Sequence, residues 1–270
     1  MNDLKIYCFT GKNFHLFKHL PQNILPLGLG NNFFPEHYLH EKVGDNMLEL
    51  NKYFAEMTGI YWVYKNKLND FDKNDWIGFC HYRRYWLNDL YKQKHGIKGD
   101  IFSHLLNNEN DIFSKFQTIM LQPTVLKNEN IREHFNNNHG DMIMEHSFKI
   151  LDNEMSSSFQ KYLENREFSI CNMFITKPEI LKKYCEFVFP FMKKLLEFCF
   201  EHKLCEGKNQ KLPSYFIERF TSFWFHEYSR VGYLSYIQLN KYFTSNFTNK
   251  FYNSLKTPLS FNLCPTILDI

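Results

Sequence analysis

The sequence predicts an α/β layered fold, with strands and helices alternating along the chain. Three observations carry that expectation. Short apolar runs read as buried strands, amphipathic stretches at helical spacing lie between them, and the chain is large and apolar enough for a sizeable core. It has 270 residues, 44% of them apolar. That length fits one large α/β domain, or one with a helical annex, and the apolar share argues against disorder.

The elements follow in order. Lys5-Ile-Tyr-Cys-Phe-Thr10 is the first predicted strand and runs into a loop at Gly11-Lys12. Residues 20–45 carry Pro21, Pro26, Gly28, Gly30, Pro35 and Gly44 and read as a loop long enough to suggest a binding role. Asn46 and Glu49 fit a capping box. Met47, Leu50, Phe54, Met57, Tyr61 and Tyr64 then recur every three or four positions, which predicts one amphipathic helix over 47–66. A polar turn, Asp70-Phe-Asp-Lys-Asn-Asp75, leads into a second buried strand, Trp76-Ile-Gly-Phe-Cys80. Residues 87–115 are mixed helix and loop, and Thr118-Ile-Met-Leu121 is a third strand stopped by Pro123. Residues 127–147 have weak helical character, and Phe168-Ser-Ile-Cys-Asn-Met-Phe-Ile175 reads as a further strand.

Pro178 opens a helix that Pro190 should kink or divide. Pro213 begins a last clear helix through about Tyr228, and the aromatic stretch from 231 is ambiguous. No repeat or linker interrupts the chain. The expected organisation is a single domain over 1–270, with a core at 4–228 and a C-terminal extension at 229–270.

Composition narrows the classes of partner. The formal net charge is +3, nearly balanced, which excludes the broad electrostatic footprint of a nucleic-acid-binding protein. Aromatic residues make up 18% of the chain, including 29 Phe and 16 Tyr. Most of them fill core volume, and some are free to stack on sugar or base rings. The cysteines, Cys8, Cys80, Cys171, Cys185, Cys199, Cys205 and Cys264, are odd in number and scattered, so reduced, buried thiols are expected rather than disulfides or zinc ligands. The start, Met1-Asn-Asp-Leu-Lys-Ile, lacks the pattern of a secretory signal, and no run approaches the ~20 apolar residues of a spanning helix. A cytoplasmic location follows, and the Asn246-Phe-Thr248 sequon is then incidental.

The segment Asp75-Trp-Ile-Gly-Phe-Cys-His-Tyr-Arg-Arg-Tyr-Trp86 is the richest in chemistry. Ligands of α/β sheets bind beyond the carboxyl ends of strands, and there this chain places His81, Arg83 and Arg84. Arginine's planar fork suits phosphate oxygens and the neighbouring rings suit a base or sugar, so an anionic, ring-bearing ligand such as a nucleotide diphosphate sugar fits. The plainer alternative is that both arginines pair with acidic residues and the rings are core.

Several blocks resemble one family. They are Gly44-Asp-Asn-Met-Leu-Glu-Leu-Asn51, Ala55-Glu-Met-Thr-Gly-Ile-Tyr-Trp62 with Lys65-Asn66, Ile77-Gly-Phe-Cys-His-Tyr-Arg-Arg-Tyr85, Cys171-Asn-Met-Phe-Ile175 and Ile217-Glu-Arg-Phe220. They are similar to the signature blocks of bacterial domains from capsule and exopolysaccharide loci. Those domains were long labelled as of unknown function and are related to glycosyltransferases of the GT-A fold. Where that family usually reads Cys-Glu-Leu-Thr, this chain has Ala55-Glu-Met-Thr58 and keeps the charged and hydroxyl positions.

The resemblance implies a single GT-A-like domain whose mixed, mostly parallel sheet is flanked by helices, with a helical C-terminal part. It also implies transfer of a sugar from a nucleotide-sugar, expected to be UDP-linked, to a hydroxyl of a capsular or surface polysaccharide. Residues carried over to donor binding are Asn46, Glu56, Lys65, His81, Arg83, Arg84, Asn172 and Arg219. Each has a structural alternative: Asn46 as a helix cap, Glu56 as a surface partner of Lys52, Lys65 as a complement to its helix end, Asn172 as a buried hydrogen-bonding amide, and Arg219 as the partner of Glu218. Asp141 and Glu218 are the candidate catalytic bases, with Glu145 a further option.

Many GT-A enzymes hold a divalent cation, Mn²⁺ or Mg²⁺, on the donor diphosphate through an Asp-x-Asp motif that follows a strand. The one simple match, Asp70-Phe-Asp72, precedes its strand and reads as a solvated turn. No metal ligand or cofactor is therefore assigned, and Arg83 and Arg84 are expected to neutralise the diphosphate in place of a metal or beside it. His134, His139 and His146 read as solvent or core histidines. A lipid-linked glycan at the cytoplasmic face of the inner membrane is the expected acceptor, with peripheral membrane contact through Tyr242-Phe-Thr-Ser-Asn-Phe-Thr-Asn-Lys-Phe-Tyr252. The alternative functions are a non-catalytic carbohydrate-binding or scaffold subunit and another phosphate-handling enzyme. The chain has no GxxxxGK[ST] motif for a P-loop form of the latter.

Overall fold

The structure, a computed structural model, describes residues 3–88 and 101–239. The chain begins with β1 (Leu4–Thr10), β2 (Ile24–Gly28) and β3 (Leu39–His40), all parallel, with β2 lying between the other two. Two helices follow, α1 (Asn51–Phe54) and α2 (Met57–Asn66). β4 (Trp76–His81) then enters parallel to β1 on its free side, and β5 (Arg84–Trp86) folds back against the end of β4. After α3 (Ile112–Lys115) come β6 (Thr118–Leu121), β7 (Thr124–Val125) and three helices, α4 (Ile131–His139), α5 (Met142–Ile150) and α6 (Asn153–Leu163). β8 (Glu167–Phe168) pairs with β7 in a separate two-stranded ladder.

β9 (Phe174–Thr176) is the element that makes the sheet mixed, because it runs antiparallel between β4 and β6. The long helix α7 (Pro178–Glu201) and then α8 (Leu212–Tyr228) follow. β10 (Val231–Leu234) is parallel to β6, and β11 (Tyr236–Gln238) pairs with β5. The sheet therefore reads β10-β6-β9-β4-β1-β2-β3, with β5 and β11 to the side. This mixed, mostly parallel sheet with flanking helices is the predicted α/β architecture. The ambiguous stretch from 231 supplies two of its strands.

Side-chain alternation sorts the core onto the two faces of the sheet. On β1, Tyr7 and Phe9 join the cluster made with α2 and α4 to α8, while Leu4, Ile6 and Cys8 join the opposite cluster with Phe14, Phe17, Tyr38 and Leu106. β4 divides likewise, with Ile77 and Phe79 on the helical face and Trp76 and Cys80 on the other. α2 approaches β1 closely at Gly59, where an added Cβ would stand 2.5 Å from the Phe9 ring. Six cysteines are free and buried, and Cys264 lies outside the described residues.

Five local expectations differ from the structure. The stretch 20–45, expected as loop, holds the parallel strands β2 and β3, whose short apolar runs the surrounding prolines and glycines mask. The helix expected over 47–66 is broken. A 3₁₀ turn at Leu48–Leu50 leads into α1, and the chain then leaves helical geometry at Ala55, at φ 48° and ψ −128°. A buried hydrogen-bond set holds this break. The Asn51 amide donates to the Ala55 carbonyl at 3.2 Å and to Thr58 Oγ1 at 2.8 Å, and Thr58 donates to the buried Glu41 carboxylate at 2.8 Å. Burial raises the Glu41 pKa, opposed by the N–H of Gly30 and the Thr58 hydroxyl. Apolar periodicity cannot register the break, because α1 and α2 keep nearly the same buried face.

The capping box at Asn46 is absent. Its Oδ1 accepts from Leu48 N at 3.2 Å and its amide donates to the Gly44 carbonyl at 2.9 Å, which closes a local turn. A complete capping box instead opens α4, between Asn130 and Glu133. The run 168–175 is not one strand, because Cys171 and Asn172 take positive φ, 75° and 45°, between β8 and β9. Finally, Pro190 does not divide α7. Pro190 and Glu186 both lie on the exposed side of the helix, where losing one intrahelical hydrogen bond is tolerated, while Val188, Phe189, Phe191 and Met192 anchor the helix in the core.

Candidate active site

The carboxyl ends of β1, β2 and β4 open together onto a cavity of 210 Å³. β1 contributes Phe9, Thr10 and Gly11, the end of β2 contributes Leu29, Gly30 and Asn32, and β4 contributes His81 and Tyr82. The break between α1 and α2 turns Asn51, Ala55 and Glu56 towards the same space, and Lys211, just before α8, closes the rim. Asp70 and Asp72 precede β4 and so lie at the opposite end of the sheet, with Asp70 paired to Lys67 at 3.4 Å.

Beneath the cavity the strained turn at Cys171 and Asn172 is tied on every side. Two consecutive non-glycine residues at positive φ cost roughly 1–2 kcal/mol each, so the surroundings must hold them. The Glu218 carboxylate accepts the Cys171 N–H, and the Cys171 carbonyl lies 2.9 Å from His81 Nε2. The Asn172 amide donates to Glu56 Oε1 at 3.0 Å, while its Oδ1 accepts from the Thr221 hydroxyl at 3.1 Å. Thr221 in turn shares a 2.6 Å hydrogen bond with the buried Tyr184 hydroxyl.

The carbonyl partner requires the His81 proton on Nε2. Burial holds this ring below its ordinary value of 6.5, with Arg84 and Arg83 acting in the same direction and Glu56 and the Cys171 carbonyl opposing. Burial also raises the Glu218 pKa, opposed by Arg219 and the Cys171 N–H and assisted by the charge of Glu56. Arg219 donates to Glu218 Oε2 at 3.0 Å and to the Tyr215 carbonyl at 2.9 Å. Its guanidinium lies 4.8 Å from the Phe168 ring centre and 5.5 Å from that of Phe135. Its remaining terminal nitrogen meets His134 Nδ1 at 3.2 Å, which requires His134 to be neutral there.

The fold thus brings together Glu56, His81, Asn172 and Glu218, with Arg84 near enough to feel both carboxylates and Arg219 directly behind Glu218. Arg84 donates to Gln238 at 3.3 Å, and Arg83 packs its guanidinium 5.1 Å from the ring centre of Tyr82. Four of the residues named from sequence stand elsewhere. Asn46 closes its surface turn, and Lys65 pairs with Asp45 at 3.4 Å. Asp141 is exposed at the start of α5, and nearby Glu145 pairs with Arg132 at 3.6 Å. Lys52 lies 4.8 Å from the Tyr53 ring centre and leaves Glu56 to Asn172.

Sequence reasoning missed Lys211, Asn32, Asn51, Thr221 and Tyr184. A lone lysine two residues before a helix-opening proline carries no local signal, and neither does a buried hydroxyl inside an apolar helix. His139 stacks on Tyr215 at 4.8 Å and His146 on Phe198 at 3.9 Å. Among the described residues no group of three or more His, Cys, Asp or Glu side chains is placed to hold a metal ion. No described helix is long and apolar enough to cross a membrane, and the aromatic segment 242–252 lies outside the described residues.

Strand order, the antiparallel β9 and a cavity at the carboxyl ends of parallel strands define a GT-A-like α/β fold. The chain superposes on an apo structure of the WbbM bifunctional glycosyltransferase with a TM-score of 0.67 and 19% identity, over 89% of this chain and 46% of that one. It therefore spans less than half the length of that structure, and the likeness is one of fold. Residues 5–229 match the family described as a domain of unknown function (DUF4422), and the protein belongs to that family. No curated protein matches the chain.

Proposed function

We propose that the protein is a glycosyltransferase that moves a sugar from a nucleotide-sugar donor to a hydroxyl of a glycan acceptor. The observation that carries this reading is the cavity at the ends of β1, β2 and β4, where a cation, a carboxylate and a neutral imidazole converge. Lys211 has no carboxylate partner among the described residues, so its ammonium is available to a diphosphate. Arg83, on the Tyr82 ring, adds a second cation beside the cavity. Glu56 and His81 offer hydrogen-bonding groups to sugar hydroxyls. The shared fold with a bifunctional glycosyltransferase supports the same reading.

Within it, a UDP-linked donor, a capsular or lipid-linked surface glycan as acceptor, and work at the cytoplasmic face of the membrane form the finer proposal. A panel of nucleotide-sugars tests the central reading, scored by thermal shift and by nucleotide release with and without EDTA. Selective stabilisation and release with one donor is the expected result. Persistence in EDTA supports a diphosphate site built from Lys211 and the arginines. Silence with every donor, including a full set of uridine, guanosine, thymidine and cytidine diphosphate sugars, overturns the reading in favour of a carbohydrate-binding subunit.

A further inference from the structure

The cavity holds one carboxylate with a free oxygen. Glu56 stands at the start of α2, directly after the left-handed break at Ala55, and lines the cavity. Its Oε1 accepts from Asn172, and among the described residues its Oε2 accepts from no protein donor. Glu218, the other acidic group of the cluster, has both oxygens occupied. One takes the Cys171 N–H and the other takes Arg219.

The support of Glu56 is unusually complete. A carboxylate only accepts, so it requires the NH₂ end of the Asn172 side chain, and the Thr221 hydroxyl meets the oxygen end. Thr221 is fixed by Tyr184, and the backbone of the Cys171–Asn172 turn is fixed by Glu218 and His81. Five buried or half-buried groups therefore set the direction of one carboxylate that faces an open space. Such preorganisation is what a group needs when it must meet a reacting hydroxyl in one geometry.

We infer that Glu56 is the general base that deprotonates the acceptor hydroxyl, and that Glu218 is a positioning residue which holds the Cys171–Asn172 turn. This rests on the sugar-transfer reading above. In the step, Glu56 Oε2 takes the proton of the acceptor O–H while that oxygen bonds to the anomeric carbon. The bond from that carbon to the donor phosphate oxygen breaks, and its electron pair leaves with the nucleoside diphosphate. The proton passes from Glu56 to solvent after product release. Attack by a base-activated hydroxyl opposite the leaving group inverts the anomeric configuration.

The test compares wild type with Glu56→Gln and His81→Asn, using the donor that the nucleotide-sugar panel selects. Gln keeps the length of Glu and an oxygen for Asn172, so the fold and the donor site are retained. The expected result is a fall in kcat of about 10²–10³-fold, a donor Kd within about twofold of wild type, and loss of the acidic limb of the pH–rate profile. A product of inverted configuration is expected from wild type. Glu56→Gln that transfers sugar within about threefold of wild type overturns the assignment. A donor affinity that falls in step with kcat also overturns it and makes Glu56 a donor ligand. If the acidic limb is lost in His81→Asn and kept in Glu56→Gln, the base is His81. These outcomes are distinct from failure of the sugar-transfer reading, in which wild type itself transfers nothing from any donor and the inference falls with it.

Discussion

The Asn172 amide lies 3.0 Å from Glu56 Oε1, joining residues 116 positions apart. Asn172 sits in a strained turn at the head of β9, and Glu56 follows a break between two helices. Each irregularity is explained by the other. A regular helix through Ala55 or a regular strand through Cys171 would break their hydrogen bond, and with it the shape of the cavity floor.

Thr221 is a buried link in this chain of bonds, and its hydroxyl serves both Asn172 and Tyr184. Thr221→Val keeps the volume and leaves an amide oxygen and a phenol buried without that partner. Unfolding in urea should show a loss of about 1–3 kcal/mol. Sugar transfer should weaken as well, because the Asn172 amide is then free to turn away from Glu56. A variant of wild-type stability and rate would show that the two groups find each other or water instead.

Lys211 at the cavity rim should contribute to donor affinity through charge. Lys211→Ala is expected to weaken binding of a nucleoside diphosphate by about tenfold, or about 1.4 kcal/mol. The dependence of affinity on ionic strength should flatten at the same time, because an exposed cation is screened by salt. Calorimetric titration at two salt concentrations reads both effects. Equal affinity in the two proteins would place the diphosphate on Arg83 and Arg84 alone.

His139 supplies a pH dependence of stability with a definite sign. Burial, aided by Arg219 and His134, pushes its pKa from 6.5 down to about 4. The unfolded chain therefore takes up the proton first, and stability falls as the pH drops from about 6.5 towards 4. His81, His134 and His226 are lowered by burial and act in the same direction. Urea midpoints measured between pH 7.5 and 4.5 should decline on acidification, and the decline should be shallower in His139→Gln. An identical slope in the variant would assign the effect to the other histidines.

Much of the fold was legible because its signals are local. β1, β4 and β6 announce themselves as short apolar runs, and α8 as a period of three to four behind a proline. His81 could be placed at a ligand-facing edge from sequence, since it ends a buried strand. Glu56, Asn172 and Glu218 were legible as residues of interest but not as neighbours. Each lies within a run whose apolar pattern reads as regular structure.

The sequence by itself determined the α/β class, the strands β1, β4 and β6 and the segment that ends at the cavity, because side-chain alternation and burial write those features into neighbouring residues. The tertiary structure alone decided the antiparallel insertion of β9, the breaks at Ala55 and Cys171, and the difference between a bound carboxylate at Glu218 and a free one at Glu56. Those outcomes depend on polar groups finding partners 17 to 116 residues away, and an unpaired polar group inside the protein costs too much to leave that search unresolved.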